Sequence, residues 1–404
     1  MINHDGLEVL LQTGGELGDS VFTNNFKIGV SDKWRGIFKQ PRHKVENINL
    51  FDLMAESVAH AISPFDDIAI FLSGGVDSTS LLWFVTQELG LKVTAYHTDF
   101  GVASHSERGD AKKAAKECNT ELKIIDVSTK SLIPTTLEAF RSTRTVDYTI
   151  PAVCRAMQRV KANGHDVVLN GLGLDEYLAG YPIHKRLFKR DEQYRPHFVP
   201  PFKTSNKAVR YGMRLFGNDR AFFTANMFTA PGKAMVENRP LWEDCANDLY
   251  EFHKCRNLWD TVQNWTISHM FNNYATNITR AARTADMKVV FPYIDYDLAE
   301  YCLNIHPHDK YNKKPLREMM GEYMRLPESL SLRGAEWDKF GWGGSPVPYI
   351  NHAEYIIPLM KKHQHPKGIV KDWVMKQYVD SMFENKNRVG LQVMILLKIM
   401  GMLT

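Results

Sequence analysis

Residues 73–78 read Ser-Gly-Gly-Val-Asp-Ser, so two glycines, two hydroxyls and one carboxylate fall within six positions. Gly74 and Gly75 allow a tight backbone turn whose N–H groups can approach a phosphate. Ser73 and Ser78 can donate hydroxyl hydrogen bonds to the same group. A carboxylate such as that of Asp77 belongs beside phosphates when Mg²⁺ lies between them, because both supply oxygen ligands to this hard cation. The motif therefore predicts a binding site for a phosphate compound and Mg²⁺.

The motif lies where a strand is expected to turn into a helix. Residues 68–73, IAIFLS, form a short apolar run typical of a buried strand, and residues 78–89, STSLLWFVTQEL, have helical periodicity. The N-terminus of that helix would add unpaired N–H groups and the positive end of its dipole. The alternative is an ordinary strand-to-helix turn with a capping Ser or Asp. The spacing does not fit G-x-x-x-x-G-K-[ST], so a Walker-type loop is not indicated.

The wider sequence predicts the scaffold for this motif. From Leu50 to Leu187, apolar strand patterns alternate with helical patterns, which indicates an α/β fold with a doubly wound parallel sheet covered on both faces. Ligands of such sheets bind outside the carboxyl ends of the strands, where the loops after Leu72, Tyr96 and Leu169 are expected. Beyond about Pro240 the chain is predicted to be mainly helical.

Four segments are expected on this basis. Residues 1–46 form an N-terminal extension, and residues 47–190 form the α/β core. Residues 191–240 are a basic, aromatic connecting segment, and residues 241–404 form a mainly helical region that completes the site. The connecting segment is interpreted as an irregular solvated connection, with a nucleic-acid surface as the alternative.

Composition narrows the functional class. The chain has 404 residues, 44% of them hydrophobic, and a formal net charge of +4, which is too mild to indicate a nucleic-acid or membrane protein by itself. Its five cysteines include no CxxC pair, which argues against a disulfide framework and a thiolate zinc site. The N-terminus does not resemble a signal peptide, and no uncharged apolar stretch is long enough to span a bilayer. A cytoplasmic enzyme without membrane contact is expected.

Several of these stretches together resemble a known family. SGGVDS resembles the PP-loop of the N-type ATP pyrophosphatases, which have the adenine nucleotide alpha hydrolase-like fold. Residues 166–188, DVVLNGLGLDEYLAGYPIHKRLF, are similar to the asparagine synthetase (class B) segment V-V-L-x-G followed by G-x-D-E-x-x-x-G-Y. Residues 291–333 are similar to that family's P-F-L-D, followed by K, L-R and l-P-x-x-i-x-x-R. The chain is identified as resembling the synthetase domain of that family.

The resemblance implies a set of site residues. Asp77 and Asp175 would hold Mg²⁺ on the phosphates of ATP, and both would act in catalysis. Two acids after two strands of one parallel sheet would also face the same crevice. A lysine that stabilises the leaving pyrophosphate is expected, and Lys339 is the nearest candidate, because Ala335 stands where the family has lysine. ATP and pyrophosphate would be bound by the residues of the two motifs and by one tyrosine, which either contacts adenine or only packs: Leu72, Ser73, Gly74, Gly75, Asp77, Ser78, Tyr96 and Gly171.

Three departures from the family pattern affect the predicted reaction. Residues 1–46 contain no glutaminase nucleophile, since position 2 is Ile2, so ammonia would come free or from a separate glutaminase subunit. Leu172 stands where the family has a glutamate that handles the proton of the nucleophile. Arg283 and Lys288 replace an apolar and an acidic position, which suggests a different acyl acceptor or donor.

The predicted function is therefore an ATP-dependent, AMP-forming carbon–nitrogen ligase. Mg-ATP would adenylate a small-molecule carboxylate, pyrophosphate would leave, and ammonia or another amine would displace AMP. Two alternatives stay open at the level of sequence. One is a PP-loop enzyme that adenylates a nucleobase or nucleotide carbonyl, and the other is a non-catalytic nucleotide-binding scaffold.

Overall fold

A computed structural model describes residues 31–99, 107–127, 149–193 and 249–333, together with positions 135, 138, 139, 141–143, 145, 219, 220, 222 and 223. Most of the connecting segment and residues 334–404, which include Lys339, lie outside these residues. No helix in this described part of the chain is long and apolar enough to cross a membrane.

A parallel sheet forms the centre of the described structure. Its strands, in chain order, are β1 (Ala69–Phe71), β2 (Thr94–Asp99), β3 (Glu121–Asp126), β4 (Val167–Leu169) and β5 (Lys288–Val290). They are arranged in the order β3-β2-β1-β4-β5, and every neighbouring pair is parallel. The chain reverses its direction of travel across the sheet between β1 and β4, and ligands of such sheets bind at that switch point.

The helices surround this sheet. In chain order they are α1 (Asp32–Gly36), α2 (Asn47–Ile62), α3 (Val76–Trp83), α4 (Arg108–Glu117), α5 (Ile150–Ala162), α6 (Leu174–Tyr177), α7 (Pro182–Gln193), α8 (Leu258–His269), α9 (Thr276–Thr284), α10 (Tyr296–Asn304), α11 (Pro307–Lys310), α12 (Lys314–Glu322) and α13 (Glu328–Ser331). Short π-helical stretches extend α3 through Phe84–Glu88 and join α8 to α9 through Met270–Ala275.

Alternation along the strands builds a core on each face of the sheet. Ile70 of β1 belongs to a large buried cluster with residues of α2, α10 and α12. Its neighbour Ala69 belongs to a separate cluster with residues of α5 and α9. Successive side chains of a strand point to opposite faces, so one strand can anchor both layers. The predicted α/β fold with a doubly wound parallel sheet is confirmed.

One strand was not expected. β5 comes from the region predicted to be mainly helical, yet it pairs in register with β4 from Val167↔Lys288 to Leu169↔Val290. Three residues are too few for a period-2 pattern to be recognised, and only the pairing partner defines them as a strand. The edge of the sheet is therefore built from a segment more than a hundred residues after β4.

The junction of α8, α10 and α11 contains a fully buried lysine. The Lys310 ammonium donates hydrogen bonds to the carbonyls of Cys302 and Leu303, at the end of α10, and to Gln263 Oε1 of α8, at 3.0, 2.6 and 3.1 Å. These bonds satisfy carbonyls that a helix C-terminus leaves unpaired. Burial, with a smaller contribution from Arg42, lowers the pKa of Lys310 to about 7.

This depressed pKa predicts a pH-dependent contribution to stability. Between pH 7 and the ordinary lysine pKa, the unfolded chain keeps a proton that the folded chain has lost, so stability rises with pH. The free energy of unfolding of the wild type, minus that of Lys310→Met, should rise by up to about 1.4 kcal/mol per pH unit above pH 7. Urea unfolding of both proteins at pH 7, 8 and 9 measures this difference. A difference that stays constant with pH would contradict the assignment.

Candidate functional site

The loop between β1 and α3 is held by its own hydroxyl groups. Ser73 Oγ lies 3.0 Å from Ser78 Oγ and accepts a hydrogen bond from the Gly75 N–H at 3.1 Å. The Ser73 N–H donates to Ser78 Oγ at 3.2 Å. Gly75 is the extended residue before α3, whose first N–H groups have no partners within the helix. These hydrogen bonds therefore fix the shape of the loop without a ligand, and the loop leads directly into the N-terminus of α3.

Two glycines allow neighbouring segments to approach this loop. Gly74 has a left-handed φ of 79°, and a Cβ there would overlap the backbone of Ala111 at the start of α4. A Cβ on Gly171, in the loop after β4, would lie 3.3 Å from the backbone carbonyl of Asp77. Side chains at these positions would push α4 and the loop after β4 away from the loop between β1 and α3.

The two predicted metal ligands converge on one point. Asp77 lies in the first turn of α3, and Asp175 lies in α6, which follows β4. Lys313 Nζ lies 2.6 Å from Asp77 Oδ2 and 2.7 Å from Asp175 Oδ1. Asp77 Oδ1 is buried and has no hydrogen-bond partner. Two carboxylates that follow two different strands thus share a single cation position. Asp77 Oδ1 is a further oxygen that could bind a cation there.

Lys313 is held in place by a strained turn. Asn312 and Lys313 have left-handed φ angles of 56° and 57°. Their N–H groups donate to the carbonyls of Ala179 and Leu178, just beyond α6, at 3.3 and 2.9 Å. Non-glycine residues adopt this conformation at a cost, which the two backbone hydrogen bonds help to offset.

Gly180 completes this arrangement. A Cβ at that position would overlap both Asp175 Oδ1 and Lys313 Cε. The absence of a side chain there is what lets the lysine reach the carboxylate.

Burial and the neighbouring opposite charges shift the pKa values of Asp77 and Lys313 in opposite directions. Burial raises the pKa of Asp77 to about 6, although the Lys313 ammonium opposes the rise. Burial acts to lower the pKa of Lys313, but Asp175 and Asp77 outweigh it, and the pKa is raised above its ordinary value. The lysine therefore remains a cation, and it balances one of the two negative charges.

Two arginines add positive charge beside the loop. Arg333 Nε lies 2.8 Å from Asp110 Oδ2, and its Nη2 lies 2.9 Å from Glu107 Oε1. A Cβ on Gly75 would lie 3.3 Å from Arg333 Nη1, so the guanidinium sits against the loop itself. Arg317 of α12 donates to the carbonyl of Arg333 at 2.7 Å and fixes that residue.

Glu176, next to Asp175, is a fully buried acid. Tyr181 donates a hydrogen bond to Glu176 Oε1 at 2.6 Å, while Oε2 has no partner. Burial, and then the charge of Asp175, raises the pKa of Glu176 to about 8. The group is therefore largely protonated near neutral pH and can act as a hydrogen-bond donor behind the site.

The structure brings most of the predicted site residues together, buries the Tyr96 side chain in the core, and does not describe Lys339. Tyr96 lies in β2 and is 1% exposed, in the core cluster beneath α5, so its contact with adenine stays a prediction that this burial does not favour. Lys339 lies outside the described residues, and its catalytic role also stays a prediction. The remaining residues lie in the loops after β1 and β4 or in the first turns of the helices that follow them: Leu72, Ser73, Gly74, Gly75, Asp77, Ser78, Gly171 and Asp175.

Three cations were not predicted as site residues: Lys313, Arg317 and Arg333. A signal for them existed, because Lys313, Leu316, Arg317 and Arg333 are the residues that match the family's K, L-R and final R. Their roles could not be assigned from sequence, since 138 positions separate Asp175 from Lys313 and only folding brings the two side chains into contact.

Leu172 lies between the two glycines of the β4 loop. Its N–H donates to Asn170 Oδ1 at 3.0 Å, and its side chain packs against the larger core cluster. Gly173, with φ of 133°, passes close to the backbone carbonyl of Tyr293. The side chain at position 172 therefore contributes packing, and it offers no group that could accept a proton.

A comparison with protein-family models finds the same family that the sequence motifs resemble. The asparagine synthase family model matches residues 49–388. A comparison with characterised proteins gave no match.

Three solved structures are distantly similar to the chain. An NH3-dependent NAD synthetase from Campylobacter jejuni is 19% identical, with 34% of this chain and 61% of that chain covered and a TM-score of 0.25. A U34-tRNA thiolase from Methanococcus maripaludis is 15% identical, with 59% and 78% covered and a TM-score of 0.27. An NMN synthetase from Francisella tularensis is 14% identical, with 58% and 97% covered and a TM-score of 0.28. None of these likenesses is close enough to indicate a substrate.

Gly180 offers a test of the packed carboxylate–lysine arrangement. Gly180→Ala should lower the free energy of unfolding by about 1–3 kcal/mol, because the added methyl group overlaps Asp175 and Lys313. Gly321→Ala in α12 is the matched control: nothing lies within 4 Å of its Cβ position, so it should stabilise by up to about 1 kcal/mol. Urea unfolding of both variants measures the effects, and equal effects would argue against close packing at Gly180.

Proposed function

Because the chain belongs to the asparagine synthase family, we propose that it is an ATP-dependent, AMP-forming ligase whose first step occurs between the β1 and β4 loops. An oxygen of the substrate, most simply a carboxylate oxygen, attacks the α-phosphorus of ATP. The bond between the α- and β-phosphates breaks, and pyrophosphate leaves. Ammonia or another amine then displaces AMP and forms the amide.

The convergence of Asp77 and Asp175 on a single cation position carries this proposal. Their oxygens lie 2.6 and 2.7 Å from the same nitrogen, beside a loop whose backbone is shaped for phosphate. Mg²⁺ in nucleotide sites is commonly bound by one or two carboxylates together with substrate phosphates. The unpartnered Asp77 Oδ1 fits this set of ligands.

These two residues would hold Mg²⁺, which supplies charge stabilisation at the phosphate oxygens when bound. Lys313 Nζ contacts oxygens of the same two carboxylates, so it would give up these contacts if Asp77 and Asp175 held a metal. Its side chain can then turn towards the phosphates, where negative charge accumulates on the leaving pyrophosphate. A cation there stabilises the transition state more than the ground state.

The positions of Arg333 and Lys313 also support a phosphate site at the loop between β1 and α3. Arg333 lies against Gly75, and Lys313 lies beside the first turn of α3. Asp110 and Glu107 hold the Arg333 guanidinium in position, so little rearrangement is needed when phosphate arrives.

The amine step calls for a proton acceptor that Leu172 cannot provide. Glu176 is enclosed and already largely protonated near neutral pH, so it is a poor choice. We propose that the acceptor comes with the substrate or from another part of the chain. The source of the amine is free ammonia or a separate glutaminase subunit.

The fate of ATP tests the proposal directly. The wild type, with Mg²⁺, ammonium and a panel of carboxylates and nucleotides, should form AMP and pyrophosphate in a substrate-dependent way. Asp77→Asn and Asp175→Asn should each reduce this by at least about 100-fold, because each loses charge at the shared cation position. Asp66→Asn, at an exposed acid, is the control and should retain activity. Formation of ADP and phosphate, or full activity in both site variants, would refute the mechanism.

Competition between Lys313 and the metal gives an independent prediction. In the absence of nucleotide, Lys313→Met should bind Mn²⁺ about tenfold more tightly than the wild type, because both carboxylates lose their internal cation. Lys314→Met is the control, since Lys314 is exposed and pairs with Glu318 instead. Electron paramagnetic resonance of free Mn²⁺ measures both affinities. Equal affinities in wild type and Lys313→Met would place the metal elsewhere.

A further inference from the structure

A groove of about 660 Å³ runs along β5, the edge strand of the sheet, away from the Asp77–Asp175 pair. One wall is α9, and the other is the end of α2 with the turn that follows it. Its apolar surface includes Phe65, Phe271 and Ile294. Unlike the site between β1 and β4, this groove follows the length of a strand.

The strand presents unpaired backbone groups to the groove. The Lys288 N–H donates to the Asp166 carbonyl, and the Val290 carbonyl accepts from the Asn170 N–H, both at 2.9 Å. Lys288 and Val290 therefore direct their backbone groups towards β4. Alternation turns the N–H and C=O of Val289 the other way, and neither has a hydrogen-bond partner among the described residues.

The charged side chains that line this groove are all basic. Arg280, Arg283 and Lys288 line the groove, and none of the described lining residues is acidic. Arg280 and Arg283 are three positions apart and so lie on one face of α9. The acids close in sequence to the lining residues have other contacts or are exposed: Asp295 accepts from the Leu298 N–H, Asp67 pairs with His165, Asp286 pairs with Lys161, and Asp66 is exposed. Arg280 and Arg283 also line a neighbouring cavity together with Glu138.

A lysine on an edge strand usually discourages strand pairing. Here the Lys288 ammonium lies 4.5 Å from the centre of the Phe65 ring, on the wall of the groove. That contact places the ammonium against the Phe65 wall, and Val289 itself is half-buried and lines the groove. The usual protective role of an edge lysine therefore does not account for the arrangement.

We infer that this groove binds an extended polypeptide segment with acidic side chains, which adds to the sheet as a sixth strand beside β5. The Val289 N–H and C=O supply two main-chain hydrogen bonds to it. Alternate side chains of an added strand point to opposite faces, so apolar residues can enter between Phe65 and Phe271 while acidic ones meet the arginines. This inference does not depend on the proposed ligase activity.

Several features favour a polypeptide over a nucleic acid. A strand edge offers a donor and an acceptor at the spacing of another peptide backbone, whereas a nucleic-acid backbone has no matching donors. The apolar surface lies within the groove, and the cations lie along its sides. Charge complementarity then selects acidic over basic segments.

The test uses the full-length protein and a fluorescein-labelled peptide, Glu-Val-Glu-Phe-Glu-Val-Glu, with binding measured by fluorescence anisotropy. Arg280→Glu/Arg283→Glu should weaken binding at least about tenfold, because two attractions become repulsions. Arg159→Glu/Lys112→Glu, which reverses two exposed charges on α5 and α4, is the matched control and should leave binding unchanged. The same peptide with a central proline should bind more weakly, because it lacks a backbone N–H.

Amide hydrogen exchange distinguishes strand addition from loose electrostatic contact. The peptide should slow exchange at Val289 in the wild type but not in the arginine double variant. No binding, or binding without protection at Val289, would overturn the inference. So would tighter binding of a 12-nucleotide oligouridylate that the same double variant abolishes, because the groove would then be a nucleic-acid site.

Discussion

The contact of Lys313 with both Asp77 and Asp175 is the interaction on which the site depends. Two carboxylates in a partly buried crevice repel each other, and each loses solvation energy when it is removed from water. A single ammonium at 2.6 and 2.7 Å from the two groups compensates for both effects. It also marks the position where a divalent cation would meet the same oxygens.

The sheet topology makes that contact available. β1 and β4 are adjacent and parallel, so the loops after them emerge at one edge, with Asp77 at the start of the helix after one loop and Asp175 at the start of the helix after the other. Glycines at positions 74, 171 and 180 then remove the side chains that would separate the neighbouring segments. The two carboxylates need no fixed spacing along the chain, because the adjacent strands set the distance between them in space.

The charges of the site change sign between the two carboxylates and the loop after β1. Asp77 and Asp175 place two carboxylates around Lys313, and Arg333 places a positive charge against Gly75. Lys313 contacts both carboxylates through its ammonium, and its long side chain extends from a left-handed turn that is held by backbone hydrogen bonds. In the proposed reaction, a cation at this position would stabilise the negative charge that grows on the leaving pyrophosphate.

The sequence by itself determined the class of fold, the phosphate-type loop and the pair of acids. Those features are local, since two glycines, flanking hydroxyls and a strand-to-helix transition are read within a few neighbouring positions. Only the tertiary structure decided that β5 completes the sheet, that Lys313 and Arg333 face the loop, and that Tyr96 is buried in the core. These depend on contacts between residues far apart in the chain, and one-dimensional patterns do not record which distant segments meet.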